Sequence, residues 1–307
     1  MSIPNTQLDT WTNQGAIKSS STTYQSIKNA LTHSASPVVE MISSGKIRID
    51  LQGSYAHDTN IYGDSDVDII VHYKDTFHSN KTSLPIDQYN LHEQHYTTAT
   101  YSWQDLRRDV ISALTKYYGL VNIDTSGKKS LKVLPSNGRL RADVVPVISY
   151  RKYDYFYGPE SNQHDREDGV ALYNTITNEV IINYPDQHYK NAVSKQSITN
   201  NQYKSIVRIF KNMRSYLVDK KRLTKDDAPS YFLQGMIYNV PKELFVADKA
   251  TATLTILRWL NRANPDLFMS QNGQHLLLGT SGEYWNPVAA RKTITELCYL
   301  WDNWGKI

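Results

Sequence analysis

The periodicity of apolar residues changes near residue 190, and this change limits the possible folds more than any other feature of the sequence. Alternating or continuous apolar runs predict strands over residues 47–51, 66–73, 121–125, 130–134 and 140–149. Helical spacing predicts α-helices over residues 23–44, 103–118, 202–218, 230–239, 250–262 and 287–303. Strands mixed with helices, followed by helices alone, predict an α+β fold with a mixed-sheet core in residues 1–190 and a helical lobe in residues 191–307.

Turn residues refine this outline at three places. Pro37 is expected to divide the first predicted helix, because proline removes a backbone donor and clashes with the preceding turn. Asn137-Gly138 is typical of a tight hairpin turn and predicts that the strands on either side of it pair. Residues 158–170 combine Gly158-Pro159 with a run of polar side chains, and this combination predicts a loop.

The composition narrows the possible functions. The 307 residues carry 34 Lys and Arg against 30 Asp and Glu, and the resulting net charge of +4 does not require a nucleic-acid partner. The single cysteine, Cys298, excludes an intrachain disulfide and a multi-cysteine zinc site. No apolar run approaches the roughly 20 residues that span a bilayer, and the polar N-terminus lacks a signal sequence. We expect a cytoplasmic protein without an obligate nucleic-acid or membrane partner.

Two carboxylates open the second predicted strand. Asp66 and Asp68 are two residues apart, so a strand would direct both side chains to one face. Two like charges this close repel each other, and a bound divalent cation would remove that penalty. Hard oxygen ligands suit Mg²⁺, which keeps some of its waters and takes further ligands from substrate phosphates. A turn cap before the strand is the simpler alternative, because Gly63-Asp64-Ser65 is typical of a turn.

A third carboxylate lies in the strand predicted over residues 140–149. Asp143 directly precedes the apolar run that begins at Val144. If this strand lies beside residues 66–73, Asp143 faces the same metal ions, and two ions could clamp the attacking and leaving oxygens of an in-line displacement. Asp143 could also accept a proton from an attacking sugar hydroxyl. The three aspartates together predict a two-metal site for nucleotidyl transfer.

The pair Gly53-Ser54 follows the first predicted strand, separated from it only by Gln52. Glycine lets the backbone approach a phosphate closely, and the Ser54 hydroxyl with the amides that follow could bind phosphate oxygens at a helix N-terminus. A glycine–serine pair alone is a weak signal. Because it follows a strand and precedes an Asp-x-Asp pair that opens the next strand, we predict that Gly53 and Ser54 bind nucleotide.

A basic face is predicted in the helical half. Lys204, Arg208 and Lys211 share one side of the helix predicted over residues 202–218. This side could contact a triphosphate, with Lys204 and Lys211 as the candidates, or it could be a solvated helix surface. Ser230, at the start of the next predicted helix, is either an N-cap or a second hydroxyl that donates to phosphate.

These motifs resemble those of a known enzyme superfamily. Gly53-Ser54, Asp66-x-Asp68 and a distant Asp143 are similar to the DNA polymerase β-like nucleotidyltransferases. The surrounding sequence resembles the bacterial cGAS/DncV-like branch, the CD-NTases of CBASS anti-phage defence, and its CdnE-like clade. The segments that carry this second resemblance are Arg141-Ala-Asp143-Val-Val-Pro146, Ile182-Asn-Tyr-Pro185-Asp-Gln-His188, the helix around Lys211, Ser230-Tyr231-Phe-Leu233 and Trp301-Asp-Asn-Trp304.

The resemblance implies a polymerase β-like nucleotidyltransferase core, a helical C-terminal lobe and an active site in the cleft between them. It implies synthesis of a cyclic di- or trinucleotide second messenger from NTPs, with two Mg²⁺ ions as cofactors, or Mn²⁺ in their place. Asp66 and Asp68 would hold both ions, and Asp143 would hold one and help to deprotonate the nucleophile. The donor triphosphate would be bound by Gly53, Ser54, Lys211 and Ser230. An effector protein activated by the product is the implied indirect partner.

Two other interpretations stay open. The same three aspartates would serve a template-independent nucleotidyltransferase that modifies RNA or protein. Such enzymes would be expected to show a broader basic groove than a net charge of +4 suggests. An inactive nucleotide-binding or antitoxin-like module is the non-enzymatic alternative, and the intact set of three aspartates argues against it. The chain is expected to act as a monomer.

Overall fold

The computed structural model describes residues 2–63, 66–136, 138–158, 166–281 and 284–307. The helices of these residues are α1 (Asn5–Trp11), α2 (Ile17–Thr32), α3 (Val39–Ser43), α4 (Gly53–Ala56), α5 (Ile86–His95), α6 (Trp103–Tyr118), α7 (Pro185–Ile198), α8 (Tyr203–Asp219), α9 (Ser230–Tyr238), α10 (Lys249–Arg262) and α11 (Pro287–Asp302). The strands are β1 (Ile47–Leu51), β2 (Asp66–Asn80), β3 (Ile123–Asp124), β4 (Leu131–Val133), β5 (Arg141–Tyr153), β6 (Arg166–Tyr173) and β7 (Val180–Asn183). None of the described helices is long and apolar enough to cross a membrane.

The chain forms two compact units. The sheet unit consists of the described residues of Ile17–Gln52 and Ser65–Pro185. The helical unit consists of those of Met1–Ala16, Gly53–Asp64 and Asp186–Ile307. Two segments from the first half of the chain therefore group with the helices that follow Pro185.

The sheet unit is built on a mixed sheet. Its strand order is β1-β2-β5-β4-β3, and β5 also pairs with β6, which in turn pairs with β7. β2 and β5 are parallel, whereas β1 is antiparallel to β2. β2 occupies one edge of β5, and two strands share the other edge. β4 pairs with residues 142–144 of β5, and β6 pairs with residues 148–153. The predicted α+β class is confirmed.

The alternation of side chains along β2 and β5 explains why these segments form strands. Val67, Ile69, Ala142 and Val144 are fully buried, and the residues between them are only partly buried. One face of this part of the sheet is therefore apolar, and charged side chains are confined to the other face.

Helix α6 packs against β5. It begins with a capping box, in which Ser102 accepts from the Asp105 amide and the Asp105 carboxylate accepts from the Ser102 amide. The Trp103 indole then donates to the Pro146 carbonyl at 2.8 Å. This bond satisfies a buried indole N–H and ties the helix to the strand.

Helix α8 organises the helical unit. It packs against α1, α9, α10 and α11. Its apolar stripe is fully buried and consists of Tyr203, Ile206, Val207, Ile209, Phe210, Met213 and Leu217. The predicted helix over residues 202–218 and its inward face are confirmed.

Most predicted elements are present, and Pro37 lies between α2 and α3 as predicted. The loop prediction for residues 158–170 is wrong at its C-terminal end, because residues 166–170 belong to β6. The polar start of β6 faces basic residues of β5, and Lys152 pairs with Glu167 at 3.4 Å. Residues 159–165 and Asn137 lie outside the described residues, whereas β4 and β5, on either side of Asn137, pair antiparallel as predicted.

Candidate active site

The three aspartates lie next to one another in the sheet unit. Asp66 and Asp68 open β2, and Asp143 in β5 is the register partner of Asp68. Arg141 is the register partner of Asp66. Partners in a parallel pair and residues two apart on a strand project to the same face, so these four charged side chains share it. The pairing of β2 with β5, on which the Asp143 prediction depends, is present.

Arg141 binds Asp66 through two hydrogen bonds. Its Nε donates to Oδ1 at 2.7 Å, and a second guanidinium nitrogen donates to Oδ2. The bonds to this carboxylate raise the pKa of Arg141. Arg141 was not among the predicted site residues, although its spacing from Asp143 repeats that of Asp66 and Asp68. That repeated spacing is the signal that could have found it.

Asp143 is partly buried, and its Oδ1 has no hydrogen-bond partner among the described residues. Burial raises the pKa of the Asp143 carboxyl, and the negative charge of Asp66 raises it further. Arg141 and Lys132, the β4 neighbour of Asp143, act in the opposite direction. A buried carboxylate oxygen without a donor is costly, and a cation would satisfy it.

The oxygen atoms of these carboxylates are the kind of ligand that a hard divalent cation prefers. Asp68 and Asp143 sit opposite each other in the strand register, and the Asp143 Oδ1 is unpartnered within the described chain. In that same part of the chain, no three His, Cys, Asp or Glu side chains are gathered as a ready metal cluster. Asp66 bonds Arg141 in this structure, so it would have to exchange the guanidinium for the ion. The turn-cap alternative falls on Asp64 and Ser65, which lie outside the described residues.

Gly53 and Ser54 belong to the helical unit, in a segment that we call the glycine–serine segment (residues 53–63). They begin the single turn α4, and Gly53 has φ +64°, a conformation that glycine adopts without strain. The Ser54 carbonyl accepts from the Thr59 amide at 2.9 Å, which closes the turn. One turn sums few peptide dipoles, so phosphate binding here would depend on the amides and the Ser54 hydroxyl.

The basic face of α8 contacts the glycine–serine segment. Lys204 Nζ pairs with Asp58 Oδ2 at 2.7 Å, and Arg208 donates to the Asp58 carbonyl. Lys211 is fully buried and donates to the Thr59 carbonyl at 2.9 Å. This face is therefore not simply a solvated surface. Contact of Lys204 or Lys211 with a triphosphate stays a prediction.

Ser230 is the first residue of α9, and the N-cap is Pro229, without a side-chain cap bond. The N-cap interpretation of Ser230 is therefore wrong. Its Oγ accepts a hydrogen bond of 2.6 Å from Arg214. Contact of Ser230 with phosphate stays a prediction.

A buried polar network joins the glycine–serine segment to α7 and α9. Gln234 Nε2 lies 3.3 Å from His57 Nδ1 and 3.4 Å from His188 Nε2, and Gln234 Oε1 accepts from Thr59 at 3.0 Å. Burial lowers the pKa of His57 to about 4 and that of His188 to about 3. Nearby positive charge adds to both shifts, from Lys204 at His57 and from His57 at His188. No local sequence pattern predicts this network, because its members are far apart in the chain.

Comparison with known proteins places the chain in a family. The family model for the cGAS/DncV-like nucleotidyltransferase C-terminal helical domain matches residues 190–302. The cyclic nucleotide synthase CdnE01 of Staphylococcus haemolyticus is 38% identical over 309 residues, covering 99% of this chain and 100% of that protein. The cyclic UMP-AMP synthase of Rhodothermus marinus is 37% identical over 306 residues, covering 100% of both chains.

Solved structures give the same assignment. The structure of Rhodothermus marinus CdnE c-UMP-AMP synthase with Apcpp and Upnpp matches with a TM-score of 0.85 at 37% identity, covering 99% of this chain and 98% of that one. The Elizabethkingia meningoseptica CdnE cyclic dinucleotide synthase with GTP and Apcpp has a TM-score of 0.70 at 23% identity, covering 99% of each chain. This second match shows likeness of fold.

The fold and the full-length relatives define a class: the chain belongs to the cGAS/DncV-like nucleotidyltransferases. Within that family, the relatives and structures it matches are CdnE-type synthases. The predicted enzyme class, the helical C-terminal domain and the family resemblance are confirmed.

Proposed function

We propose that this enzyme synthesises a cyclic di- or trinucleotide from NTPs, with Mg²⁺ or Mn²⁺ as its cofactor. The observation that carries the proposal is the pairing of Asp68 with Asp143 across β2 and β5, with Asp66 two residues away on the same face. The names of two full-length relatives support it, since both are cyclic nucleotide synthases. A matching structure holds the NTP analogues Apcpp and Upnpp, which supports NTPs as substrates.

The carboxylates have distinct proposed roles. Asp68 and Asp143 would hold a divalent cation, and Asp66 would join them once its carboxylate leaves Arg141. Two such ions, when bound, would neutralise charge on the transferred phosphoryl group. Asp143 would also accept the proton of the attacking sugar hydroxyl.

The donor triphosphate is proposed to bind at Gly53 and Ser54. Gly53 has no side chain to hinder an approaching phosphate, and glycine adopts the positive φ of this turn without strain. Lys204, Lys211 and Ser230 already bond protein groups, so Gly53 and Ser54 are the stronger candidates for direct contact. By family resemblance, we propose that the product activates a separate effector protein in cytoplasmic anti-phage defence, and that the synthase is a monomer.

A template-free reaction tests this proposal. The purified protein is incubated with all four labelled NTPs and either Mg²⁺ or Mn²⁺, and the products are treated with phosphatase. We expect a small, phosphatase-resistant product. Label in RNA or protein would instead support the modifying nucleotidyltransferase. No incorporation with any nucleotide or ion would overturn the proposal and favour the inactive module.

A further inference from the structure

The three cations on one face of α8 all bind the same short stretch of chain. Lys204 pairs with the Asp58 carboxylate, Arg208 donates to the Asp58 carbonyl, and Lys211 donates to the Thr59 carbonyl. Arg208 also donates to the Thr12 carbonyl at 2.5 Å. Charged donors make stronger hydrogen bonds than neutral donors, so this stretch is held firmly against the helix.

Lys211 is the most costly of these contacts to build. Its side chain is fully buried, and removal of an ammonium group from water is unfavourable unless close partners compensate. Its acceptor, the Thr59 carbonyl, is buried as well, and the Thr59 hydroxyl donates to Gln234 at 3.0 Å. The fold therefore fixes Thr59 from two directions, through its carbonyl and through its side chain.

Asp58 has a left-handed backbone conformation. Its φ is +55°, in a region that residues with a Cβ adopt uncommonly, Asp and Asn more often than most. Gln14 donates to the Asp58 carboxylate at 3.3 Å, in addition to the contacts from Lys204 and Arg208. Two cations of α8 and the Gln14 amide therefore stabilise a backbone bend directly after α4.

Main-chain hydrogen bonds connect these anchors to the glycine–serine turn. The Thr59 amide donates to the Ser54 carbonyl at 2.9 Å, and the His57 amide donates to the Gly53 carbonyl at 3.3 Å. Because the Lys211 ammonium holds the carbonyl of the same residue whose amide holds Ser54, displacement of Thr59 would displace the turn.

We propose that Lys204, Arg208 and Lys211 are positioning residues that hold the Gly53-Ser54 turn in its phosphate-binding conformation, and that they act through Asp58 and Thr59. This inference depends on the proposed phosphate role of Gly53 and Ser54. It differs from the prediction that Lys204 and Lys211 contact the triphosphate, since it assigns their charges to the protein backbone.

Hydrogen exchange in the nucleotide-free protein tests the inference without any reaction. In Lys204→Met and in Asp58→Asn, we expect the amides of His57 and Thr59 to exchange about tenfold faster than in the wild type. The double variant should exchange no faster than either single variant, because both remove the same ion pair. Lys220→Met is the matched control, since Lys220 is exposed at the C-terminal end of the same helix.

A double-mutant cycle tests how Lys211 acts on binding. Lys211→Met should weaken NTP affinity about tenfold in the wild type and clearly less than tenfold in a Ser54→Ala background, where only the amides of the turn still depend on Thr59. Additive losses, or unchanged exchange at His57 and Thr59 in Lys204→Met, would overturn the inference. If Lys211→Met fails to fold, the Lys204 and Asp58 variants still decide. If the wild type binds no NTP, the proposed function fails, and the exchange result remains a separate outcome.

Discussion

Asp143 has a carboxylate oxygen that no donor reaches in the described part of the chain, and its pKa is raised. The folded state therefore disfavours the charged form, so Asp143→Asn should raise the metal-free melting temperature at neutral pH. Mg²⁺ or Mn²⁺ should stabilise the wild type by about 2.7 kcal/mol at a concentration near 100 times Kd. Asp143→Asn should lose most of that stabilisation.

Thermal melts with and without metal measure both effects. Asp75→Asn is the control, because Asp75 is on the same strand as Asp68 but pairs with Lys46 at 3.5 Å on the surface. Its melting temperature should respond to metal as in the wild type. Equal metal stabilisation of Asp143→Asn and the wild type would remove Asp143 from the metal site.

Substitution of Gly53 should destabilise the protein, because its φ of +64° is strained for a residue with a Cβ. Gly53→Ala should lower the unfolding free energy by about 1–2 kcal/mol. Gly53→Asn should lose less, because asparagine enters the left-handed region more readily. Urea unfolding compares the two variants, and an equal loss in both would show that backbone strain is not the cause.

Among the elements, the glycine–serine segment and α7 carry two buried histidines, His57 and His188, that make the stability of the protein depend on pH. Burial lowers their pKa values from 6.5 to about 4 and about 3. Between these values the unfolded chain binds more protons than the folded chain, so stability is complete above about pH 6.5 and is lost as the pH falls towards 4. The loss should be about 1.4 kcal/mol per pH unit for each histidine.

Urea unfolding at about pH 7 and about pH 5 measures this slope. His57→Gln should reduce the slope to about half, because glutamine does not titrate and His188 still does. His33→Gln should leave the slope unchanged, because His33 is exposed. A slope in His57→Gln as steep as in the wild type would contradict the assignment.

The sequence predicts elements well where one face is apolar. β1 and α6 have the predicted bounds because alternation and a helical stripe mark them from end to end. Helix α7 was missed because its only buried residues are His188 and Ala192, which form no apolar stripe. The start of β6 was missed because polar residues and a cross-strand ion pair, rather than apolar burial, accompany its pairing with β5.

Across the whole molecule, local spacing predicted the carboxylates of the candidate site, but it could not predict contacts between residues far apart in the chain. Asp66 and Asp68 follow from a two-residue repeat, and the adjacency of Asp143 follows from the pairing of β2 with β5. The contacts of Lys204 and Lys211 join residues about 150 positions apart, and no local pattern reports them. For the same reason, the grouping of residues 53–63 with the late helices was not predicted.

We propose that the carboxylates on one face of β2 and β5 carry nucleotidyl transfer. The template-free reaction tests this proposal by comparing Asp68→Asn with Asp75→Asn, after circular dichroism shows that both variants are folded. We expect Asp68→Asn to lower product formation by more than about 100-fold, and Asp75→Asn to leave it within about twofold of the wild type. Product formation by Asp68→Asn at the wild-type rate would contradict the claim.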